Sequence, residues 1–214
     1  MTTLKRAPRE CGSWIWDLSD SATPGLESAL SFAARMCNVL TRLELLSPTQ
    51  LKYSWYTLNV GPTGIASILE LTKPLEDSSL PERVRGSRPS AYPSADIADI
   101  DVIGAGKWID AEGRSRTEPE LVNLSLTTTP TDLSAELSVH HDIWGKYDFA
   151  GHPHLEVHQN NAPRIAAALK ELSALLGMPP ELGEPTYFGT ATLEGLATPD
   201  VYEDGLGPDL TSRL

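Results

Sequence analysis

Cysteine is scarce in this chain, whose 214 residues include only Cys11 and Cys37. Two thiols do not make the disulfide framework of a secreted domain, and Cys37 falls on the apolar side of a predicted helix, which favours an inert core thiol. No apolar run approaches the roughly 20 residues that a membrane-spanning helix needs. Residues 1–10 carry basic side chains, but the apolar core of a signal peptide does not follow them. These absences predict a cytoplasmic protein that makes no membrane contact.

Basic residues are also few. The sequence contains 17 lysines and arginines against 29 aspartates and glutamates, a formal net charge of −12 at pH 7. Because contacts to phosphate groups require clustered basic side chains, this imbalance argues against binding to nucleic acid or anionic lipid. The acidic excess is greatest in residues 181–214, where Arg213 is the single base. A charged partner is therefore expected to be basic, although a solvated acidic surface explains the same composition.

The common catalytic motifs are missing as well. The chain has no Gly-x-Ser-x-Gly, Cys-x-x-Cys or His-Glu-x-x-His sequence. Residues 104–107, Gly-Ala-Gly-Lys, lack the spacing and the following serine or threonine of a phosphate-binding loop, and they predict a hairpin turn. Carboxylate pairs such as Asp99 with Asp101 are expected by chance in so acidic a chain, and they neither support nor exclude glycosidase chemistry. The sequence therefore predicts no catalytic residue.

Apolar periodicity divides the chain into strands and two helices. Trp14, Trp16 and Leu18 alternate with Ile15 and Asp17, which predicts a first strand. Residues 26–46 repeat apolar side chains at three- and four-residue intervals and predict the longest helix. A second helix is predicted to begin at an asparagine cap at 160 or 161, with Pro163 in its first turn, and to end at Gly177. Predicted strands fill most of the interval between the two helices.

The order of these elements predicts an α+β fold. Runs of strands without alternating helices favour a mainly antiparallel sheet of about five or six strands, with two amphipathic helices packed on one face. Residues 1–180 are expected to form a single domain, and residues 181–214 an acidic C-terminal extension. The proline-rich residues 74–96 are predicted to form a long loop, which is either functional or disordered.

All five histidines lie between residues 140 and 158. A strand predicted over residues 152–158 places His152, His154, Glu156 and His158 on one face. Three imidazoles and a carboxylate form the ligand set of catalytic zinc and iron sites, so one hypothesis is a small metal-dependent hydrolase with zinc as its cofactor. A flat strand face holds two ligands to one ion more readily than three. The alternative is a set of surface histidines hydrogen-bonded to nearby acids.

The second candidate site is the loop that separates the two histidine-bearing stretches. It contains Trp144, Tyr147 and Phe149, accompanied by Asp142 and Asp148. Aromatic side chains among acids are the composition of an interface hot spot for a basic protein, which makes these five residues the predicted partner-binding site. The same aromatic residues equally fit the cap of a sheet core.

Parts of the chain resemble a known family. The strand with Trp14 and Trp16, the helix that ends Leu-Thr-Arg-Leu-Glu-Leu-Leu-Ser-Pro at residues 40–48, and the following Ser-Trp-Tyr at residues 54–56 resemble polymorphic-toxin immunity proteins of class fifty-two. Residues 142–177 resemble uncharacterised actinobacterial proteins. The resemblance covers about half of the chain. It implies a cytoplasmic, cofactor-free bacterial α+β protein that binds and neutralises a toxin encoded beside it, and it implies no catalytic residues.

Two functions follow from the sequence as hypotheses. The first is an immunity protein for a basic protein toxin, since complementary charge raises the rate of encounter between partners. The second is the zinc-dependent hydrolase centred on His152, His154 and His158. The chain is expected to be a monomer or, if its tryptophans are exposed, a homodimer.

Overall fold

A computed structural model describes residues 4–203 and 205–214, which fold around one large antiparallel sheet. The strands are β1 (Gly12–Asp17), β2 (Ser47–Thr57), β3 (Gly61–Glu70), β4 (Asp96–Ile109), β5 (Ser115–Pro119), β6 (Asn123–Thr129), β7 (Asp132–Val139), β8 (Glu181–Leu182), β9 (Ala191–Thr192) and β10 (Gly195–Leu196). The helices are α1 (Leu26–Arg42), α2 (Leu80–Gly86) and α3 (Leu155–Leu176), and short 3-10 helices cover Asp142–Trp144 and Thr211–Arg213.

The main sheet has 8 strands in the order β3-β2-β4-β6-β7-β1-β8, with β5 paired to β4. β9 and β10 form a separate hairpin. The predicted α+β class and mainly antiparallel sheet are confirmed. The predicted numbers, five or six strands and two helices, are wrong, because the described residues form 8 strands in this sheet and three α-helices. β5 and β8 are exposed edge strands without apolar alternation, so no sequence pattern marks them.

The core lies between one face of the sheet and the helices. α1 packs on β2, β4, β6 and β7 and beside α3, and alternate side chains of these strands are buried beneath them. The predicted alternation of Trp14 and Trp16 is confirmed, since both are fully buried. Taking a large apolar side chain out of water is worth about 1.5–3 kcal/mol. This layer therefore supplies most of the driving force for folding, and it leaves the opposite face of the sheet uncovered.

Both predicted helix boundaries need correction. α1 ends at Arg42, because Glu44 adopts a left-handed φ of 56° and turns residues 43–46 toward β2. α3 starts at Leu155 and carries Pro163 inside it, so the predicted start near residue 160 is wrong. Asn161 does not cap the helix, because its buried side chain binds the backbone of β4. With 22 residues against 17, α3 is the longer of the two helices, contrary to prediction.

β4 runs without interruption through the stretch predicted to be a hairpin turn. Gly104 and Gly106 lie within it, where residues 45–47 cross the strand. A Cβ atom at Gly104 would overlap the carbonyl oxygen of Ser47, and one at Gly106 would overlap that of Leu45. These two glycines therefore allow the backbone of residues 45–47 to approach β4 closely, and such close approach is a common reason for glycine within a strand.

The predicted loop and the predicted C-terminal extension both contain regular structure. The proline-rich residues 74–96 include α2, which has a proline in its first turn and buries Leu80 and Val84. In residues 181–214, β8 pairs with β1, and the β9–β10 hairpin contacts α3 through β10. No helix in the described part of the chain is long and apolar enough to cross a bilayer.

Candidate functional site

The five histidines occupy different environments. His140 follows β7 and is half-buried, and His141 beside it is buried. His152 is exposed, with Nδ1 3.7 Å from Oδ1 of Asp148, whereas Nε2 of His154 lies 2.9 Å from the carbonyl oxygen of Gly145. His158 lies in the first turn of α3. Burial lowers the pKa of His154 and of His158, which favours neutral imidazoles.

The predicted strand over residues 152–158 is wrong, and this changes the proposed zinc ligand set. Because α3 begins at Leu155, successive side chains rotate by about 100° instead of alternating between two faces. Glu156 consequently points away from both His154 and His158. Within residues 4–203 and 205–214, no group of three or more histidine, cysteine, aspartate or glutamate side chains is arranged to hold a metal ion. The geometry gives the hydrolase hypothesis no assembled centre.

The aromatic loop lies largely inside the protein. Trp144 is 1% exposed, Phe149 3% and Asp142 5%, while Tyr147 and Asp148 remain partly exposed. Oδ1 of Asp148 accepts hydrogen bonds from the backbone N–H groups of residues 150 and 152, at 2.8 and 2.9 Å, which close the loop. The two buried rings belong to the hydrophobic core. Substituting either ring would therefore act on folding before it acted on a partner.

Four of the predicted partner-binding residues line a cavity of about 190 Å³, which we call the Asp142 cavity: Asp142, Tyr147, Asp148 and Phe149. Its other walls come from Cys11, His141 and Gly145, from residues 186–190 and 196–199, and from Pro208 and Leu210. The N–H of Gly207 donates to the carbonyl of Gly151 (2.8 Å), and that of Leu210 donates to the carbonyl of Phe149 (2.7 Å). These hydrogen bonds hold the C-terminal residues over the cavity.

Two adjacent titratable groups beside this cavity are shifted in opposite directions. Burial, followed by the charge of Arg6, lowers the pKa of His141 to about 4. Neither of its ring nitrogens has a hydrogen-bond partner among the described residues, and Nε2 lies 3.9 Å from a carboxylate oxygen of Glu118. Burial, reinforced by the charge of Asp148, raises the pKa of Asp142 to about 7. Burial thus favours the neutral form of both groups.

The face of the sheet opposite α1 and α3 is open to solvent and acidic. Strand register aligns Asp101, Glu136 and Glu181 in one row across the sheet, and Asp99 with Asp17 in the adjacent row. We call these five residues the acidic sheet face. With strands about 4.8 Å apart, Asp101 and Glu136 lie about 10 Å from each other, and Asp99 and Asp17 about 14 Å. Lys52, opposite Asp101, is the one basic residue that the described strands add to these rows.

The neighbours of these acids are short and polar. Ser125 stands between Asp101 and Glu136, and Thr127 with Ser134 stand between Asp99 and Asp17. Hydroxyl groups of Ser54 and Thr127 donate to Asp99 at 3.1 and 3.2 Å. Nζ of Lys52 is 3.7 Å from Asp101, and both side chains are about half exposed, so this pair is weak. The face is consequently flat and retains most of its negative charge.

Glu136 has the least hydrated carboxylate of this face. Burial raises its pKa, a hydrogen bond involving Ser13 lowers it, and the charge of Glu10 raises it further. A half-buried carboxylate with acidic neighbours has an unfavourable ionised state, which a positively charged group would stabilise. The acidic sheet face therefore favours a basic partner on electrostatic grounds.

Sequence patterns did not single out the acidic sheet face. By composition Asp99 and Asp101 look like a chance pair and Glu181 belongs to the acidic C-terminal stretch, while no pattern marks Asp17 or Glu136. A local signal exists, because in residues 99–102 acids alternate with buried apolar residues, which predicts an acidic outer strand face. The convergence of five acids depends on pairing between strands that are far apart in the sequence. Comparisons with models of protein families, with curated proteins and with solved structures find no match to this chain.

Proposed function

We propose that this chain is an immunity protein that binds a basic protein toxin through the acidic sheet face and thereby neutralises it. The observation that carries the proposal is a sheet face that no described helix covers, on which acids from four strands are accompanied by one lysine of the described strands. The net charge of −12 and the resemblance of residues 40–48 and 54–56 to class fifty-two immunity proteins support it.

The shape of the face suits a folded partner. From β3 to β1 the sheet is six strands wide, or about 24 Å, and its outward side chains on β6 and β7 are mostly serine, threonine and asparagine. Short side chains lose little conformational entropy when a partner covers them, so forming an interface here would carry a small entropic cost. Basic side chains of the toxin would lie between the two acidic rows.

Complementary charge would set the association rate and the orientation of the proposed complex. Opposite charges on two proteins raise association rates well above the value of about 10⁵–10⁶ M⁻¹s⁻¹ for neutral pairs, and added salt reduces this effect. A toxin that cuts nucleic acid needs a positively charged cleft, and an acidic sheet placed over that cleft would block its substrate. Inhibition would then require neither turnover nor a cofactor.

The test uses the toxin encoded by the gene that adjoins this one. Cells that express the toxin alone should stop growing, and co-expression of this chain should restore growth through a 1:1 complex measurable by calorimetry. The variant Asp99→Asn/Asp101→Asn/Glu136→Gln should bind roughly 100-fold more weakly, at about 1 kcal/mol for each charge. Its association rate should also become less dependent on salt concentration.

A matched variant separates local charge from total charge. Glu194→Gln/Asp200→Asn/Glu203→Gln removes the same number of exposed acids outside the acidic sheet face, and it should bind within about twofold of the wild type. Equal weakening in both variants would show that only net charge matters. Failure of the wild-type chain to restore growth would contradict the immunity function itself.

A further inference from the structure

The Asp142 cavity has the chemistry of a site for a small cation, and it lies apart from the acidic sheet face. Among the described residues two carboxyl groups line it, those of Asp142 and Asp148, together with the imidazole of His141 and no lysine or arginine. The aromatic residues Tyr147, Phe149, Tyr187 and Phe188 contribute to its walls. An enclosed, mainly apolar pocket with a few converging polar groups is the usual form of a small-molecule site.

Asp142 is the least compensated charge of the cavity. It is 5% exposed, and it belongs to none of the ion pairs among the described residues. Its carboxyl group interacts only with neutral backbone N–H groups, that of Lys5, which donates to Oδ1 at 3.4 Å, and that of Phe149. A buried carboxylate without a counter-ion is costly, and either a proton or a bound cation removes that cost. The charged or titratable groups around it are Asp148, Lys5, Cys11, His141 and His154.

The aromatic rings of the cavity suit the apolar part of an organic cation. Phe149 and Phe188 meet edge to face, with centroids 5.4 Å apart. Tyr187 already makes a cation–π contact within the chain, since the guanidinium carbon of Arg213 lies 3.8 Å from its ring centroid. Aromatic faces attract ammonium and guanidinium groups through their quadrupoles, and the attraction is greatest where water is excluded.

We infer that the Asp142 cavity binds a small organic amine, with its ammonium group at the Asp142 carboxylate and its apolar stem against Phe149 and Phe188. An apolar cavity of about 150 Å³ holds benzene, so about 190 Å³ suits an amine of similar or slightly larger size. The ligand enters as the ammonium ion. Where Asp142 is protonated beforehand, its proton passes to solvent as the ammonium replaces it.

Three isosteric probes test this inference on the full chain: benzylamine, benzyl alcohol and benzoate. Isothermal titration calorimetry at pH 7 should show benzylamine binding at least tenfold more tightly than benzyl alcohol, and benzoate not binding. Asp142→Asn should reduce the preference for the amine to less than about twofold. Asp132→Asn, an exposed aspartate outside the cavity, should leave it unchanged.

Proton release provides a second readout that needs no variant. Titrations of the wild-type chain with benzylamine in buffers of different ionisation enthalpy should give close to one proton released per amine at about pH 6 and almost none at about pH 8.5. Equal binding of benzylamine and benzyl alcohol, or no binding of either, would overturn the inference. Neither result depends on the toxin or on the acidic sheet face, so failure here leaves the proposed function untouched.

Discussion

His141 and Asp142 are neighbours in the chain, and burial acts on them in opposite senses. His141 has a pKa lowered to about 4 and Asp142 a pKa raised to about 7, burial being the largest cause for both. Removal from water destabilises the charged form of a titratable group. For His141 the charged form is the protonated imidazolium, and for Asp142 it is the deprotonated carboxylate. Both groups are therefore held neutral near pH 6, and both couple folding to pH.

The two couplings have opposite signs. Between about pH 4 and 6.5 the folded chain binds fewer protons at His141 than the unfolded chain, so stability from this group rises with pH. At Asp142 the folded chain keeps a proton between pH 3.8 and about 7 that the unfolded chain loses, so stability from this group falls with pH. In the wild type the two contributions partly cancel.

Asp142→Asn should separate them. The amide imitates the neutral carboxyl group. The variant should therefore keep the rise of stability with pH that His141 causes and lose the fall of stability with pH that Asp142 causes. The unfolding free energy of the variant relative to wild type should grow by up to about 4 kcal/mol from pH 4 to pH 7, at about 1.4 kcal/mol per pH unit, and then level off. Urea unfolding at several pH values measures this, and parallel profiles for variant and wild type would disprove the coupling. Asp132→Asn serves as the control.

At the scale of elements, one fully buried amide helps to fix α3 against β4. Asn161 is 0% exposed, and its Oδ1 accepts the N–H of Ile109 in β4 at 2.9 Å. Its Nδ2 donates to the carbonyl groups of Ile109 and Val157, both at 2.8 Å. The amide thus pairs with the backbone N–H and carbonyl groups of Ile109 as the backbone of a neighbouring strand would. It fixes the helix against the sheet and accounts for an asparagine in the middle of a helix.

Asn161→Ala should destabilise the fold by about 3 kcal/mol. The change leaves the partly buried N–H and carbonyl groups of Ile109 without their side-chain partner, and each such loss costs about 1–3 kcal/mol. The midpoint of urea unfolding should fall at an unchanged slope. Gln159→Ala, on the exposed side of α3, should change stability by less than about 0.5 kcal/mol. Equal effects from the two substitutions would remove Asn161 as an anchor.

At the scale of the whole molecule, the sheet separates apolar from acidic surface. α1 and α3 cover one face, while the other face gathers acids against little opposing charge. Such clustering destabilises the folded state through self-repulsion, because an unfolded chain keeps its charges farther apart. The molecule thus retains a charge distribution that a partner can use at some cost to its own stability.

Salt should reveal this cost. Raising ionic strength from about 0.01 M to about 1 M shortens the Debye length from about 30 Å to about 3 Å, which is below the separations across the acidic sheet face. Calorimetry should show a larger rise in Tm for the wild type than for Asp99→Asn/Asp101→Asn/Glu136→Gln, by about 2–4 °C for each 1 kcal/mol of repulsion relieved. Glu194→Gln/Asp200→Asn/Glu203→Gln should behave like the wild type. A salt response shared by all three chains would locate the repulsion elsewhere.

Prediction from sequence succeeded where the signal was local and repeated. Alternation around Trp14 and Trp16 indicated a strand with one buried face, because successive side chains of a strand point to opposite sides. Helical spacing likewise indicated α1 and most of α3. The glycines of β4 were misinterpreted, because their requirement comes from residues 45–47, which approach from another part of the chain.

The sequence by itself determined the α+β class, the main antiparallel sheet and the acidic charge, since these follow from residue types and their local period. Tertiary structure alone decided which residues meet. The pairing of β1 with β7 joins Trp14 to Leu137 and brings Asp17 near acids from β4 and β7. The fold also turns Trp144 and Phe149 inward and closes the Asp142 cavity with the C-terminal residues. Such contacts depend on the register of distant segments, which no local pattern specifies.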